Sequence, residues 1–235
     1  PGNYPATYGF ENDLSGTNPL DWVVTEPADT DIQVIKTFNI KIDREHELRT
    51  LGLDPSKQTV GTVGRFIEEK GHIYLYQAIP MILKKHPRTQ FLIVGDGRLK
   101  SKMTAYLSEK PYRQIVHMVG LREEVPKLLA LMDVFVFPSL QEAFGIAPVE
   151  AMAAKCPVAC SSIPTLKEIV EDQETGLLFK PSDPISMANA VNRLLSSNEL
   201  RKKISRKAYK NTMLRFSETK SIRALEQLYL KILNI

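Results

Sequence analysis

Two glutamates, Glu142 and Glu150, lie on either side of a Phe-Gly pair in residues 138–161, PSLQEAFGIAPVEAMAAKCPVACS. A helix is predicted to begin at Gly145, directly after the pair. The start of a helix has free backbone N–H groups and a partial positive charge, which favour a phosphate, and glycine allows close approach. Glu142 would precede that site, within reach of a sugar. Glu150 lies more than a turn inside the helix, where a carboxylate can accept hydrogen bonds from two ribose hydroxyls.

Two cations follow another predicted strand, in the stretch TVGRFIEEKG. Arg65 comes directly after the strand, and Lys70 follows five residues later. Ligands of an open parallel sheet collect at the carboxyl ends of its strands, and a guanidinium with an ammonium suits a diphosphate. Two alternatives stay open. The cations could be solvated beside Glu68 and Glu69, and the two glutamates of the first stretch could be a helix cap and a surface ion pair.

Other candidate motifs predict no further site. VGDGR, residues 94–98, is a strand followed by a tight turn and matches neither a dinucleotide fingerprint nor a P-loop. The D-x-D triplet at residues 29–31 has no preceding apolar strand, so we interpret it as coincidence. Cys156 and Cys160 are expected to be buried free thiols. The four histidines do not have the spacing of metal ligands in the sequence: His46, His72, His86 and His117.

The composition is that of a globular chain without a strong charge bias. It has 235 residues, 43% of them hydrophobic, with a net charge of +4. That charge is too mild to indicate nucleic-acid binding, and no apolar run reaches the roughly 18–20 residues of a membrane span. We therefore expect a soluble, cytoplasmic protein. Residues 199–231 contain ten bases and three acids, which indicates either a solvated helix face or docking to an anionic membrane or another subunit.

Short β-branched runs alternate with amphipathic stretches from residue 32 onward. The predicted strands are residues 32–35, 59–63, 90–94, 115–119, 134–137, 158–160 and 177–179. The predicted helices are residues 44–51, 73–85, 98–107, 123–132, 145–154, 165–171, 184–196, 199–215 and 218–233. The strands FLIV and VFVF are apolar on both faces, as central strands of a helix-covered parallel sheet must be. The sequence thus predicts a Rossmann-like, doubly wound α/β domain with C-terminal helices over residues 32–235, preceded by an acidic tail or linker over residues 1–31.

Three local signals refine the predicted helices. Gly52 is a helix stop, and Asp183 with Pro184 is a helix start. Pro80 lies inside the predicted helix 73–85. It predicts a kink there, or a helix that begins later.

Five stretches, in this order and spacing, resemble a known family: VGRFIEEKG, KKHPRTQFLIVGDG, LMDVFVFPSLQEAFGIAPVEAMA, PVACS and EIVEDQETGLLFKPSDP. They are similar to the C-terminal donor-binding domain of the family 4 retaining glycosyltransferases of GT-B fold. The resemblance covers about residues 32–235. It implies a UDP-, GDP- or ADP-linked sugar as donor substrate, transfer with retention of anomeric configuration, and no metal or other cofactor.

The resemblance also implies roles for particular residues. Arg65 and Lys70 are similar to the pair that binds the donor diphosphate and stabilises it as the leaving group. Glu142 resembles the first glutamate of the E-x7-E motif, near the donor sugar, and Glu150 is expected to bind the ribose hydroxyls. Further contacts with the nucleotide sugar are expected at Gly64, Phe144, Gly145 and Ile146. Contacts with the base are expected at Gly120 and Arg122.

Two departures from the family pattern are expected to lie near the donor pocket and to alter sugar preference. Lys155 stands where the family has glycine, and residues 161–170, SSIPTLKEIV, lack the usual Gly-Gly.

The larger departure is that residues 1–31 cannot build the N-terminal domain of a GT-B enzyme, which holds the acceptor site. We expect that domain in a parent protein or a partner subunit, with a glycan or lipid as acceptor. An apolar stripe in the last predicted helix would then face it, formed by Ile222, Leu225, Leu228, Tyr229 and Ile232. Two other interpretations stay open: a nucleotide-sugar-binding or interaction subunit without catalysis, and a GT-B relative such as a nucleotide-sugar epimerase.

Overall fold

The computed structural model of the chain describes residues 42–216. The acidic segment with its D-x-D triplet, the predicted strand 32–35 and the predicted helix 218–233 with its apolar stripe lie outside the described residues.

Within residues 42–216 the structure is built on a parallel six-stranded sheet. The strands are β1 (Gln58–Val63), β2 (Thr89–Val94), β3 (Val116–Gly120), β4 (Val134–Phe137), β5 (Val158–Ser161) and β6 (Leu177–Phe179). Their order across the sheet is β3-β2-β1-β4-β5-β6, and every neighbouring pair is parallel. Every residue of β2 and β4 is buried, as the apolar pattern of these strands predicts. The doubly wound α/β fold is therefore confirmed.

Helices follow the strands along the chain. They are α1 (Arg44–Thr50), α2 (His72–Lys85), α3 (Lys100–Ser108), α4 (Val125–Leu131), α5 (Ile146–Ala153), α6 (Pro164–Ile169), α7 (Pro184–Ser196) and α8 (Asn198–Arg215). Two short 3-10 turns occur at Glu68–Lys70 and Arg113–Ile115. Every predicted element inside the described residues is present with the predicted type, and its ends differ by at most two residues from the predicted ones. None of these helices is long and apolar enough to cross a membrane.

Alternate residues of the central strands bury against opposite helical layers. Phe91 and Ile93 of β2 join a cluster that includes apolar residues of α2, α3 and α7. Leu92 and Val94 join a second cluster with residues of α4, α5 and α6. Full burial of one apolar side chain contributes about 1.5–3 kcal/mol to the free energy of folding. The two helical layers therefore stabilise the sheet from both faces. The strand ends are consequently held in fixed positions.

The local signals behave as expected, with one correction. Gly52 follows α1 with φ +74°, and the Asp183 carboxylate accepts the N–H groups of the first turn of α7. The alternative of a late start for the Pro80 helix is wrong, because α2 begins at His72 and contains Pro80. The buried face of α2, from Leu75 to Ile82, packs on the sheet, and this packing holds the helix although Pro80 removes one backbone hydrogen bond.

The order of the strands defines where a ligand would bind. From β1 the chain first moves outward through β2 to β3 and then returns to place β4 on the other side of β1. Loops that leave neighbouring β1 and β4 therefore turn in opposite directions and leave a crevice at their carboxyl ends.

Candidate functional site

A cleft of about 510 Å³ occupies this crevice. Its walls are the loop after β1 and the loop after β4 with the first turn of α5. Six of the residues singled out from the sequence line it, namely Gly64, Arg65, Lys70, Glu142, Gly145 and Ile146. Residues from two distant stretches meet here because parallel strands end at the same edge of the sheet.

The other four candidates lie outside the lining of this cleft. The Phe144 ring is 41% exposed and packs edge-on against Phe216, with 5.7 Å between ring centroids. Gly120 ends β3 at the edge of the sheet, and Arg122 follows in the next loop. Glu150 is buried within α5.

Lys70 and Glu142 form an ion pair in the cleft. Lys70 Nζ lies 2.6 Å from Glu142 Oε1, and the two side chains are only 17% and 9% exposed. The Lys70 ammonium also lies 5.4 Å from the centroid of the Phe137 ring. The alternative of a solvated lysine beside Glu68 and Glu69 is therefore wrong. The alternative of Glu142 as a helix cap is wrong as well, because the N-cap of α5 is Gly145.

Arg65 lines the same cleft and has an exposed side chain, while its backbone carbonyl is held by a hydrogen bond. His72, in the first turn of α2, places Nε2 3.1 Å from the Arg65 carbonyl oxygen. Burial lowers the pKa of His72 to about 4, so the ring is neutral at pH 7. A carbonyl only accepts, so Nε2 carries the proton and donates it. Apart from the position of His72 directly after Lys70-Gly71, no sequence pattern indicates this role.

The VGDGR turn supports the same loop through backbone hydrogen bonds. The Gly64 N–H donates to the Val94 carbonyl at 3.0 Å, and the Phe66 N–H donates to the Asp96 carbonyl at 2.8 Å. Leu99 N–H donates back to the Phe66 carbonyl at 3.0 Å. The turn therefore extends the pairing of β1 with β2 and fixes the direction in which the chain leaves the sheet at Arg65.

The two loops of the cleft touch at Gly71. This residue has φ +62°, and a Cβ added there would lie 2.2 Å from the Pro138 carbonyl oxygen. Beside this contact the Leu140 N–H donates to the Glu69 carbonyl at 2.7 Å. Only glycine fits both the left-handed backbone and the close approach. The loop with Lys70 and the loop with Glu142 are thus joined through backbone atoms.

We predict that Gly71→Ala lowers the free energy of unfolding by at least about 2 kcal/mol, from the left-handed backbone and the clash together. Gly52→Ala is the matched control, because Gly52 also has a left-handed φ, +74°, but its nearest neighbouring atom would lie 3.8 Å from an added Cβ. It should cost about 1 kcal/mol. Urea unfolding of both variants measures the difference, and equal losses would contradict the close packing of the loops.

The first turn of α5 faces the cleft with its backbone. Gly145 is the N-cap, with φ +95°, and it has no side chain to accept the N–H groups of the helix start. A Cβ at Gly145 would lie 2.7 Å from Leu166 Cδ2, so glycine also permits the packing of α5 on α6. Ile146 and Ala147, the first two helical residues, line the cleft. The unsatisfied N–H groups of this turn and the helix dipole favour an anion there.

Glu150 is a buried carboxyl group. It is 6% exposed, and its Oε2 is buried without a hydrogen-bond partner among the described residues. Burial raises the pKa of Glu150 to about 7. The interpretation of Glu150 as a surface ion pair is therefore wrong. Glu150 follows Ile146 and Ala147 by four and three residues, so it lies one turn further along the same face of α5.

Two further sequence expectations can be compared with the structure. Lys155 does not lie at the cleft: it follows the far end of α5, with φ +58° and its Nζ 4.7 Å from the centroid of the Tyr209 ring. That expectation is corrected, because an eight-residue helix separates Lys155 from the cleft. Cys156 and Cys160 are free and buried, as predicted. Residues 42–216 contain no group of three or more His, Cys, Asp or Glu side chains arranged to hold a metal.

Some residues at the cleft were not singled out from the sequence. Arg98 lines it and is ion-paired with Glu68. Ser139 and Thr165 both hydrogen-bond to Glu142, through its side chain and its backbone carbonyl respectively. The contacts of Arg98 and Thr165 join different parts of the fold, and the contact of Ser139 depends on the conformation of the loop after β4, so no local pattern indicates them.

Comparison with known proteins gives a consistent family. A family model described as "Glycosyl transferases group 1" matches residues 43–211. An uncharacterised glycosyltransferase of Methanocaldococcus jannaschii is 32% identical over 185 residues, which are 77% of this chain and 47% of the relative. The alpha-D-kanosaminyltransferase of Streptomyces kanamyceticus is 32% identical over 168 residues, 70% of this chain and 43% of the relative. The chain spans about half the length of the curated relatives it matches.

Solved structures share the fold. The C-terminal domain of the group 1 glycosyl transferase LpcC from Francisella tularensis superposes with a TM-score of 0.69 at 25% identity, covering 78% of this chain and 97% of that one. Sucrose-phosphate synthase from Thermosynechococcus elongatus superposes with a TM-score of 0.74 at 27% identity, covering 82% of this chain and 49% of that one.

Proposed function

The chain belongs to the glycosyl transferases group 1 family, and on that premise we propose that it is the donor-binding half of a retaining glycosyltransferase. The reaction moves a sugar from a nucleoside-diphosphate sugar to a glycan or lipid acceptor with retention of anomeric configuration. The observation that carries the proposal is the convergence of Arg65, Lys70, Glu142 and the start of α5 in one cleft. Cations and free N–H groups that face one space suit a diphosphate.

In the proposed reaction the diphosphate is the leaving group. When the bond between the anomeric carbon and the phosphate oxygen breaks, negative charge grows on that oxygen. Arg65 and Lys70, together with the N–H groups at the start of α5, stabilise this charge because they already line the cleft. These groups supply the positive charge that a metal provides in other transferases, so the proposal includes no metal.

Glu142 is the group proposed to contact the donor sugar. Its carboxylate lies beside the ammonium of Lys70, the proposed diphosphate ligand, and sugar and diphosphate are adjacent in the donor. A carboxylate in this position can accept hydrogen bonds from sugar hydroxyls and stabilise positive charge that develops at the anomeric carbon. The ammonium of Lys70 is the ion-pair partner of this largely buried carboxylate.

The nucleoside end of the donor is proposed to lie toward Glu150 and the carboxyl end of β3. Ionised Glu150 would accept hydrogen bonds from the two ribose hydroxyls, which would supply the partner that Oε2 lacks. The base would reach Gly120 and Arg122, since β3 lies two strands from β1, roughly 10 Å at ordinary strand spacing. A bound donor would then cross the carboxyl edge of the sheet from β4 to β3.

The acceptor site is proposed to lie on an N-terminal GT-B domain, in a parent protein or a partner chain. Two comparisons support this division. The chain spans about half the length of its curated relatives, and it matches nearly the whole of a solved C-terminal domain of a group 1 glycosyl transferase.

The first test is ligand stabilisation of the purified chain. We expect UDP, GDP or ADP at 100 times its Kd to raise Tm by roughly 5–10 °C, with the matching nucleoside giving no rise at the same concentration. Arg65→Ala should reduce the shift, because the guanidinium no longer contacts the phosphates. If none of the three diphosphates raises the Tm of the wild-type chain, the proposal is contradicted.

A second test separates the enzyme from a binding subunit. The chain is combined with a candidate N-terminal domain and incubated with the nucleotide sugar of the base that it prefers. Transfer to an acceptor, with the anomeric configuration of the product determined by NMR, supports the retaining enzyme. Inversion of configuration would contradict retention while leaving the donor site intact.

A further inference from the structure

Ser139 lies in the loop after β4, and its hydroxyl reaches the loop after β1. Its side chain is fully buried, and its Oγ is 2.6 Å from Glu142 Oε1. The same hydroxyl is 3.0 Å from the Glu69 carbonyl oxygen and 3.1 Å from the Gln141 carbonyl oxygen. Three acceptors therefore surround a group that has a single proton to donate.

The carboxylate of Glu142 is the acceptor that this proton favours. It gives the shortest of the three distances, and a charged acceptor forms the stronger hydrogen bond. The Glu69 carbonyl already accepts the Leu140 N–H at 2.7 Å, so it does not depend on the hydroxyl. Loss of the Ser139 hydroxyl would thus leave the two loops joined while removing one of the two donors that hold the Glu142 carboxylate.

Both side-chain bonds of Glu142 end on the same oxygen. Lys70 Nζ and Ser139 Oγ each lie 2.6 Å from Oε1, and no described contact uses Oε2. Thr165 Oγ1 donates to the backbone carbonyl of Glu142 at 3.0 Å and fixes the other end of the residue. With two donors on Oε1, the carboxylate has a set orientation that leaves Oε2 for a ligand.

Ser139 is itself held by the sheet. The Ser161 hydroxyl at the end of β5 donates to the Ser139 carbonyl, and both serines are fully buried. Ser139 follows β4 by one intervening residue, Pro138, which further restricts the backbone. The hydroxyl therefore approaches Glu142 from a rigid support.

We propose that Ser139 is a positioning residue that orients the Glu142 carboxylate toward the donor sugar. This inference rests on the proposed function, because it assigns Glu142 to the sugar end of the donor. A role of Ser139 at the sugar end of the donor has one distinctive consequence. Ser139 should matter for the affinity of a nucleotide sugar and much less for the affinity of the nucleoside diphosphate alone.

The test compares Kd values by calorimetry for UDP, GDP and ADP and for UDP-glucose, GDP-mannose and ADP-glucose. Ser139→Ala should weaken the preferred nucleotide sugar about ten-fold while the matching diphosphate changes by less than about three-fold. Ser139→Thr, which keeps the hydroxyl, should restore the affinity. Ser196→Ala is the control, because Ser196 is an exposed serine at the end of α7. Its hydroxyl donates to the Asn192 carbonyl in the same helix and lies at hydrogen-bond distance from His86, away from the cleft.

A double-mutant cycle tests whether Ser139 acts through Glu142. In a Glu142→Ala background, adding Ser139→Ala should change the affinity by less than about two-fold, because no carboxylate remains to be oriented. Full additivity, or equal losses for diphosphate and nucleotide sugar together with reduced stability, would show a structural role and overturn the inference. A wild-type chain that binds none of the six probes would instead defeat the proposed function itself.

Discussion

Replacing Lys70 by alanine is expected to lower the rate of sugar transfer by roughly 10²–10³-fold, which is about 3–4 kcal/mol of barrier. The ammonium is one of two cations proposed to stabilise the departing diphosphate, and its side chain is only 17% exposed. The substitution also leaves the Glu142 carboxylate without its ion-pair partner in a site that is 9% exposed. That unpaired negative charge would repel the diphosphate, so binding of the donor should weaken as well.

The measurement is kcat/KM for the chain completed by its acceptor domain, with nucleoside-diphosphate affinity determined by calorimetry. Lys84→Ala is the matched control, since Lys84 is an exposed lysine in the last turn of α2, roughly 20 Å along that helix from its start beside the cleft. The control should behave as wild type. Unchanged affinity and rate in Lys70→Ala would contradict the role given to Lys70.

Glu150→Gln is expected to raise stability and to lower nucleotide affinity. Burial raises the pKa of Glu150 from 4.5 to about 7, so the folded state holds a proton that the unfolded state has released between these pH values. Stability from this group is therefore present below about pH 4.5 and is lost as the pH rises to about 7, a loss of about 3 kcal/mol. Glutamine carries no such charge, so the variant should be more stable than wild type at pH 8 and similar at pH 4.

Urea unfolding at pH 4, 6 and 8 measures this effect, with Glu109→Gln at an exposed position as the control. The ligand arm compares each ribonucleoside diphosphate with its 2′-deoxy form. Wild type should prefer the ribose form, and Glu150→Gln should lose that preference because an amide cannot accept from both hydroxyls as a carboxylate can. A stabilised variant with an undiminished ribose preference would leave Glu150 as a buried acid without a ligand role.

The fold could be predicted from the sequence because its signals are local. FLIV and VFVF are apolar on every residue, and a strand of that kind must be covered on both faces. The meeting of Arg65 and Lys70 with Glu142 could also be predicted, since one rule about the carboxyl ends of parallel strands applies to both loops. This prediction needs no knowledge of contacts between the loop after β1 and the loop after β4.

The contacts that give the cleft its geometry could not be predicted in this way. The close approach of Gly71 to Pro138 and the hydrogen bond of Thr165 to Glu142 join residues that are far apart in the chain. Ser139 is only three residues from Glu142, but their hydrogen bond depends on the conformation of the loop after β4, which no local pattern specifies. The burial of Glu150 depends on how α5 packs between β4, β5 and α8, whereas a glutamate in an amphipathic pattern ordinarily indicates an exposed position. The expectation that Lys155 lies near the donor pocket came from the family pattern, and it is wrong because the length of α5 separates Lys155 from the cleft.

The most direct test of the central claim is a crystal structure of the chain with the nucleoside diphosphate that it binds best. We expect phosphate oxygens within about 3 Å of Arg65, Lys70 and the N–H groups at the start of α5, and ribose hydroxyls at hydrogen-bond distance from Glu150. A diphosphate bound elsewhere on the chain, with this cleft holding only solvent, would contradict it.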